Sequence, residues 1–430
     1  MALRLRVVVS ASVVLLVALA LPAFEQAASA AATIKVNTAN DSAADGKCAL
    51  REAVEAANTN TAVDSCHAGG TGTDTIIFAL GLNGTAINLT NGPIDIHSNL
   101  LIKGNGRTKT IVTGDEFDTT AKTSTLEHMT LVLVNNESAT ATVIDVRATD
   151  EMNNNSTGTE TSIMRIIRSR VLDVTTNSGF GTSVTSLIVS RSRTGLIDNN
   201  SGSGTTSHLV VAASVTGEID NNSGSSTTTA VIRSSTMRGD GVNGDGVDVS
   251  GTGTTVSIRS STITRFDEGI FSDGHTRLTN STVSGNVDEN VAVGGGSFHV
   301  LNSTITHSDT GIDQFGGTIT LTNSILANHP GSGNCIGTVG SGGGNISDDL
   351  SCGFNHTRDR NNINPKLGAL GFHGGLTMTQ VPLAGSPAID KGLNPPCPAF
   401  DQRGHKRPTD GNGDGVKVCD KGSVEVPRKI

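Results

Sequence analysis

The sequence predicts an all-β solenoid: a single parallel β-helix of about 21–22 residues per rung, with a short capping α-helix near its N-terminal end. Three observations carry this. One phrase recurs: Val231-Ile-Arg-Ser-Ser-Thr236, Ser257-Ile-Arg-Ser-Ser-Thr262, Arg277-Leu-Thr-Asn-Ser-Thr282, His299-Val-Leu-Asn-Ser-Thr304 and Thr320-Leu-Thr-Asn-Ser-Ile325. Its apolar anchors, Ile232, Ile258, Leu278, Val300 and Leu321, step by 26, 20, 22 and 21 residues, and fainter copies run back through Val210, Ile188, Ile167 and Val146 at steps of 22, 22, 21 and 21. Short apolar runs bounded by Gly, Asn or Pro start at Ile76, which reads as strand, turn, strand. Composition agrees: 52 Gly, no Trp, no Tyr and almost no long helical pattern. A period this short does not hold a helix pair but fits three strands and three turns, and the leucine-rich pattern is missing.

Residues 1–32 read as a signal peptide. Arg4 and Arg6 supply the positive region, Val7 to Phe24 the apolar core, and Ala28-Ser-Ala30 or Ala30-Ala-Ala32 the small-residue exit. No Cys follows to take a lipid anchor, and no later stretch is long and apolar enough to span a bilayer. The expected address is secreted or cell-surface. Six cysteines in an exported chain point to disulfides. Pairing sequence neighbours gives Cys48–Cys66, Cys335–Cys352 and Cys397–Cys419, staples at the two ends of the coil.

Residues 33–75 form the expected N-terminal cap. Thr33-Ile-Lys-Val36 is strand-like. Leu50, Ala53, Val54 and Ala57 then fall on one face of a short helix that begins beside Cys48. A solenoid needs such a lid over its open apolar end. Here Cys48-Ala-Leu-Arg-Glu-Ala53, with Ala-Ala-Asn58 and Asp74-Thr-Ile-Ile-Phe78 after it, resembles the CSLREA domain of secreted bacterial proteins, with Ala49 in place of Ser. The resemblance implies a right-handed parallel β-helix.

The coil is expected over 76–330. Ile76-Ile-Phe78, Ile87-Asn-Leu89, Ile94-Asp-Ile96, Leu100-Leu-Ile102 and Ile111-Val112 are its first strands. Asn154-Asn-Ser156, Asn199-Asn-Ser-Gly202 and Asn221-Asn-Ser-Gly224 read as stacked turn residues. Asp240 to Asp248 coincides with the single long step and reads as a bulge. Phe266, Phe271, Phe298 and Phe315 are assigned to the interior. Residues 331–430 form a Gly- and Pro-rich C-terminal region. Gly343-Gly-Asn345, Pro382-Leu-Ala-Gly-Ser-Pro-Ala-Ile-Asp390, Asp401-Gln-Arg-Gly404, Arg407-Pro408 and Cys419-Asp-Lys-Gly-Ser-Val-Glu425 resemble, in that order, the choice-of-anchor Q region of the same secreted proteins. The chain departs from that pattern at Lys421, where Ile is usual, and at Val424, where an aromatic is usual.

Two constellations could carry chemistry. Asp267, Asp288 and Asp309 recur 21 residues apart and should stack on consecutive rungs. Carboxylates at a strand spacing of about 4.8 Å must share protons, bind a cation or splay into water. A paired set could serve a polysaccharide hydrolase or lyase; Asp in turns is the plainer reading. Asp410, Asn412 and Asp414 match the first half of a Ca²⁺ loop, but Lys421 stands where the bidentate Glu belongs, so a looser Ca²⁺ turn is the candidate. The net charge of −9 argues against nucleic acid and anionic membranes. The chain has no Gly-x-Ser-x-Gly elbow, no phosphate loop, no Gly-His-Gly motif, and no Lys between Lys122 and Lys366. The expected protein is a monomeric, non-enzymatic extracellular scaffold for a polysaccharide or cell-surface ligand.

Overall fold

Each rung gives one strand to each of three parallel faces in a computed structural model that describes residues 31–427, apart from Ala43, Ser138, Ser225 and Asn243. All but the last two residues of the expected signal peptide lie outside the described residues. The first face has 14 strands, from Thr33–Val36 to Val339–Ser341. The third has 12, from Ile94–Ile96 to Gly333–Ile336. The second runs as four strands and then seven, from Ala86–Asn88 to Ile346–Ser347, joined by single-residue bridges through Arg147, Arg170, Arg193 and Val215. The chain is therefore an all-β parallel solenoid, as its period predicts.

The interior is built from register. On the first face one inward column runs unbroken from Ile34 through Ile76, Ile102, Leu126, Val143, Ile166, Val189 and Val211 to Ile232, Ile258, Leu278, Val300 and Leu321. Every member is buried. A fully buried aliphatic side chain contributes about 1.5–3 kcal/mol, so this column is a main source of stability. The strong anchors of the sequence fall in it. The fainter ones do not: Val210 pairs with Val231 and Ile188 with Arg165, one residue off the inward column. In Val210-Val211, Ile188-Val189 and Ile166-Ile167 both neighbours are apolar, so the pattern cannot tell in from out, and a slip of one residue reverses the face.

The recurring phrase is the corner from the first face to the second. Its middle residue is left-handed on rung after rung: Asp145, Arg168, Arg191, Ala213, Ser234, Ser260, Asn280, Asn302 and Asn323 all have φ between 45° and 52°. From Arg168 onward the next residue is a buried serine; after Asp145 it is Val146. Each serine hydroxyl donates to the carbonyl two residues back and accepts the backbone N–H of the preceding rung. Thus Ser281 Oγ donates to Thr279 O at 2.9 Å and accepts Ser261 N–H at 3.2 Å, while Ser281 N–H reaches Ser303 Oγ at 3.3 Å. The ladder runs from Ser169 to Ser324 and ends on Asn345 Oδ1.

The asparagines expected at turns lie instead in third-face strands. Asn136, Asn154, Asn199 and Asn221 point inward and are fully buried. Asn136 Nδ2 donates to Asn154 Oδ1 at 2.8 Å, and Asn199 Nδ2 to Asn221 Oδ1 at 2.6 Å. Ser162 and Ser207 of the first face donate to Asn154 and Asn199. Buried amides need partners, and stacking in register supplies part of them, leaving Asn136 Oδ1 and Asn221 Nδ2 without one; Asn in these strands is a core residue.

At the N-terminal end the helix α1 (Leu50–Thr59) packs on the first strands, with Leu50, Ala53, Val54 and Ala57 buried. Glu52 accepts Ala49 N–H at 2.9 Å, closing its first turn. Arg51 pairs with buried Asp41 at 2.9 Å and donates to the carbonyls of Gly92 and Pro93. The three disulfides are Cys48–Cys66, Cys335–Cys352 and Cys397–Cys419. Cys335 lies on the last third-face strand rather than beyond the coil.

After that rung the chain turns back along the second face. Thr262 Oγ1 donates to Met378 O at 2.6 Å, Thr282 Oγ1 to Gln402 Oε1 at 2.6 Å, Asn302 Nδ2 to Asp420 O at 2.9 Å and Asn323 Nδ2 to Pro396 O at 2.8 Å. Asp401 with Arg403, and Arg407 with Glu425, form buried ion pairs inside this layer, at 2.8 and 3.5 Å. Lys421 is fully buried and donates to the carbonyls of Asn345 and Arg358.

Ser281→Ala removes a buried donor and acceptor at once. It is expected to lower unfolding stability by about 1–3 kcal/mol, against less than about 0.5 for Thr255→Ala on the exposed side of the first face. Denaturant midpoints measure both, and equal losses would remove the ladder from its role.

Candidate functional site

Asp267, Asp288 and Asp309 do stack. Each directly precedes a third-face strand, and Asp288 N–H donates to Asp267 O at 3.0 Å and Thr310 N–H to Asp288 O at 2.9 Å. Asp267 is half-buried, while Asp288 and Asp309 are exposed. Of the three outcomes open to such a column, these take the splayed one.

The carboxylates that crowd lie beside them, in the strands. Asp198, Asp220 and Asp248 are register partners on the outward side of the third face. Glu218 precedes Asp220 by two residues and accepts Asp245 N–H at 3.3 Å, and Asp245 is the register partner of Glu268. Burial, then Glu218, Asp248 and Asp198, push Asp220 up to about 7. Burial, then Glu268, Asp248 and Glu218, do the same for Asp245, also to about 7. Glu289 rises to about 7 through burial, Asp288, Glu268 and Asp313. Burial is the first cause of the upward shifts of Asp198, Asp248 and Glu268 as well. Carboxylates on consecutive rungs without interleaved cations cannot all ionise.

Sequence reasoning missed Asp198 and Asp220. The signal was present in Ile197-Asp-Asn-Asn-Ser201 and Ile219-Asp-Asn-Asn-Ser223, whose Asp residues are 22 apart. Asp240 to Asp248 is only partly a bulge: Asp245 and Asp248 belong to the strand Asp245–Ser250, and the extra residues precede it. A groove of about 580 Å³ opens beside that loop, lined by Leu196, Glu218, Arg238, Asp240 and Phe266 among others.

The phenylalanines divide. Phe266 and Phe298 are buried in the coil. Phe271 and Phe315 are outside it, with ring centroids 6.5 Å apart and Phe315 65% exposed. Phe271 occupies the outward column between Asp248 and Ala292, followed by Asp313. The acidic strip is therefore interrupted by an aromatic pair, with Phe271 half-buried and Phe315 exposed.

Asp410, Asn412 and Asp414 form a self-bonded turn. Asp410 accepts the N–H groups of Gly413 and Gly415 at 2.7 and 3.0 Å, Asn412 Oδ1 accepts Asp414 N–H at 2.8 Å, and Asp414 accepts Val416 N–H at 2.8 Å. Among the described residues no group of three or more His, Cys, Asp and Glu side chains is placed to hold a metal ion, and no helix is long and apolar enough to cross a membrane.

No protein-family profile matches the chain, and no curated protein does. Among solved structures, the crystal structure of pectate lyase Pel9A aligns with 92% of this chain and 96% of its own at 12% identity and a TM-score of 0.36. The likeness concerns the fold alone.

Two expectations follow. A carboxyl raised in the fold stabilises the native state fully below its unfolded pKa near 4, and that contribution is lost as pH rises through about 7. Melting temperature should therefore fall from roughly pH 5 to pH 8, and Asp220→Asn should flatten the fall; superimposed profiles would show that Asp220 does not titrate there. The turn at 410–415 is held by its own hydrogen bonds, so EDTA is expected to leave the melting temperature unchanged; a rise on adding Ca²⁺ that Asp410→Ala abolishes would instead assign a Ca²⁺ turn to it.

Proposed function

We propose that the chain is a secreted or cell-surface β-helix protein that acts as a non-enzymatic binding scaffold for an extracellular polysaccharide or cell-surface ligand. We place it with the secreted proteins whose CSLREA and choice-of-anchor Q regions its two ends resemble. Its three disulfides are compatible with an oxidising, extracellular setting. The observation that carries the reading is the Phe271–Phe315 pair beside the acidic strip, with Phe271 half-buried and Phe315 exposed. An aromatic face beside carboxylates, which accept hydrogen bonds from hydroxyl groups, suits a sugar chain lying along parallel strands.

The second reading is a polysaccharide hydrolase or lyase. It is favoured by Asp220, Asp245 and Glu289, since a carboxyl held near neutral pKa is what a general acid needs. Against it, Asp288 and Asp309 stand exposed at the mouth of the third face rather than facing each other across a cleft.

A panel of extracellular polysaccharides separates the two. The scaffold reading expects retention of a polysaccharide without release of reducing or unsaturated ends, and at least about tenfold weaker retention for Phe315→Ala. Product release that Asp288→Asn or Asp220→Asn abolishes would establish the enzyme instead.

A further inference from the structure

The second face carries a row of arginines that the fold does not use. Arg147, Arg170 and Arg193 are joined by parallel bridges on three consecutive rungs. Arg168 and Arg191 stand at the corner leading into the same rungs, at φ 50° and 51°. All five are exposed, and among the described residues none lies within 4.0 Å of a carboxylate. Asp145, which occupies the corner position one rung earlier, is engaged by Arg107 at 3.1 Å and His128 at 2.9 Å.

Packing does not ask for these charges. The same outward column continues through Val215 and Thr236, so an uncharged residue fits the position. Like charges repeated at a rung spacing of about 4.8 Å repel one another and weaken the coil unless something neutralises them. The row lines a groove of about 320 Å³. The C-terminal layer that covers the second face makes its hydrogen bonds from Ser260 onward, beyond the arginine rungs.

We propose that this row binds a linear acidic polysaccharide, a polyuronate with one carboxylate on each sugar. Guanidinium forks grip carboxylates in pairs of hydrogen bonds, and cations in single file at rung spacing suit a polymer with one charge per repeat. Nucleic acid fits less well. A duplex carries a charge every 1.7 Å or so of its axis, single strands are held on aromatic platforms, and the chain has neither Trp nor Tyr and a net charge of −9. The site is separate from the Phe271–Phe315 surface and stands whether or not that surface binds sugar.

The test uses the full chain and polygalacturonate in affinity electrophoresis, with the methyl-esterified polymer as the uncharged control. Retardation by polygalacturonate alone is expected, weakening with salt. Arg170→Gln with Arg193→Gln should weaken it by about tenfold or more, while Arg259→Gln with Arg277→Gln, exposed arginines of the first face, should not. Unchanged melting temperatures establish that the variants are folded; should the double variant melt early, Arg147→Gln alone gives the same reading. The proposal is overturned by no retardation, by equal retardation on the esterified polymer, or by equal loss from both double variants. It is also overturned if polydeoxythymidylate binds as tightly through the same residues. Sedimentation in which the wild type self-associates and Arg170→Gln with Arg193→Gln does not would assign the row to the acidic strip of a second copy, and would overturn it too.

Discussion

One corner holds the coil in register. A left-handed residue turns the chain from the first face to the second, and the serine after it is buried with its hydroxyl bonded both along its own rung and to the rung before. A left-handed non-glycine residue costs roughly 1–2 kcal/mol. The corner offsets that cost by giving its N–H to the next rung, as Asn280 does to Leu301 O at 3.0 Å, and by placing the serine where it satisfies two backbone groups. Because this happens on every rung from Ser169 to Ser324, each outward column keeps its alignment over the same length. Chemistry on the surface is then decided by which residue types recur at one position, as they do for Asp198, Asp220 and Asp248 or for Arg147, Arg170 and Arg193.

What could be read from the sequence follows from that corner. Asn-Ser and Ser-Ser after an apolar anchor is the visible trace of a left-handed residue and a ladder serine, so period, strand class and capping helix were all legible. Which of two apolar neighbours faces inward was not. Around Ile166, Val189 and Val211 both candidates are aliphatic, and only pairing with the neighbouring rung decides. Asn misled for a related reason. In a lone strand a buried amide lacks partners, and only a stacked column makes it acceptable in the core.

Outward residues were harder still, although their signals were short and local. Phe271 follows the inward Ile270, so alternation alone places it outside. Arg168-Ser-Arg170 and Arg191-Ser-Arg193 are the same tripeptide 23 residues apart, each centred on a ladder serine. The Asp267, Asp288 and Asp309 column was seen because its spacing is regular. Yet regular spacing marks alignment, not crowding. The crowded carboxylates sit within the strands, where burial adds to mutual repulsion.

The outer surface is divided by what covers it. From Ser260 to Ile325 the second face lies beneath the C-terminal layer, and its outward threonines are spent on Met378, Gln402 and Ser423. Residues there are held by neighbours on both sides, which leaves little room for a ligand. The same face is bare over the arginine rungs, and the third face is bare over the acidic strip and the Phe271–Phe315 pair. Positive and negative rows thus stand on different faces rather than neutralising each other, as paired surface charges would. A fold that needed only solubility could interleave the two signs. Keeping them apart, each in register on an uncovered face, leaves both rows with unbalanced fields, and such fields are what a charged partner reads.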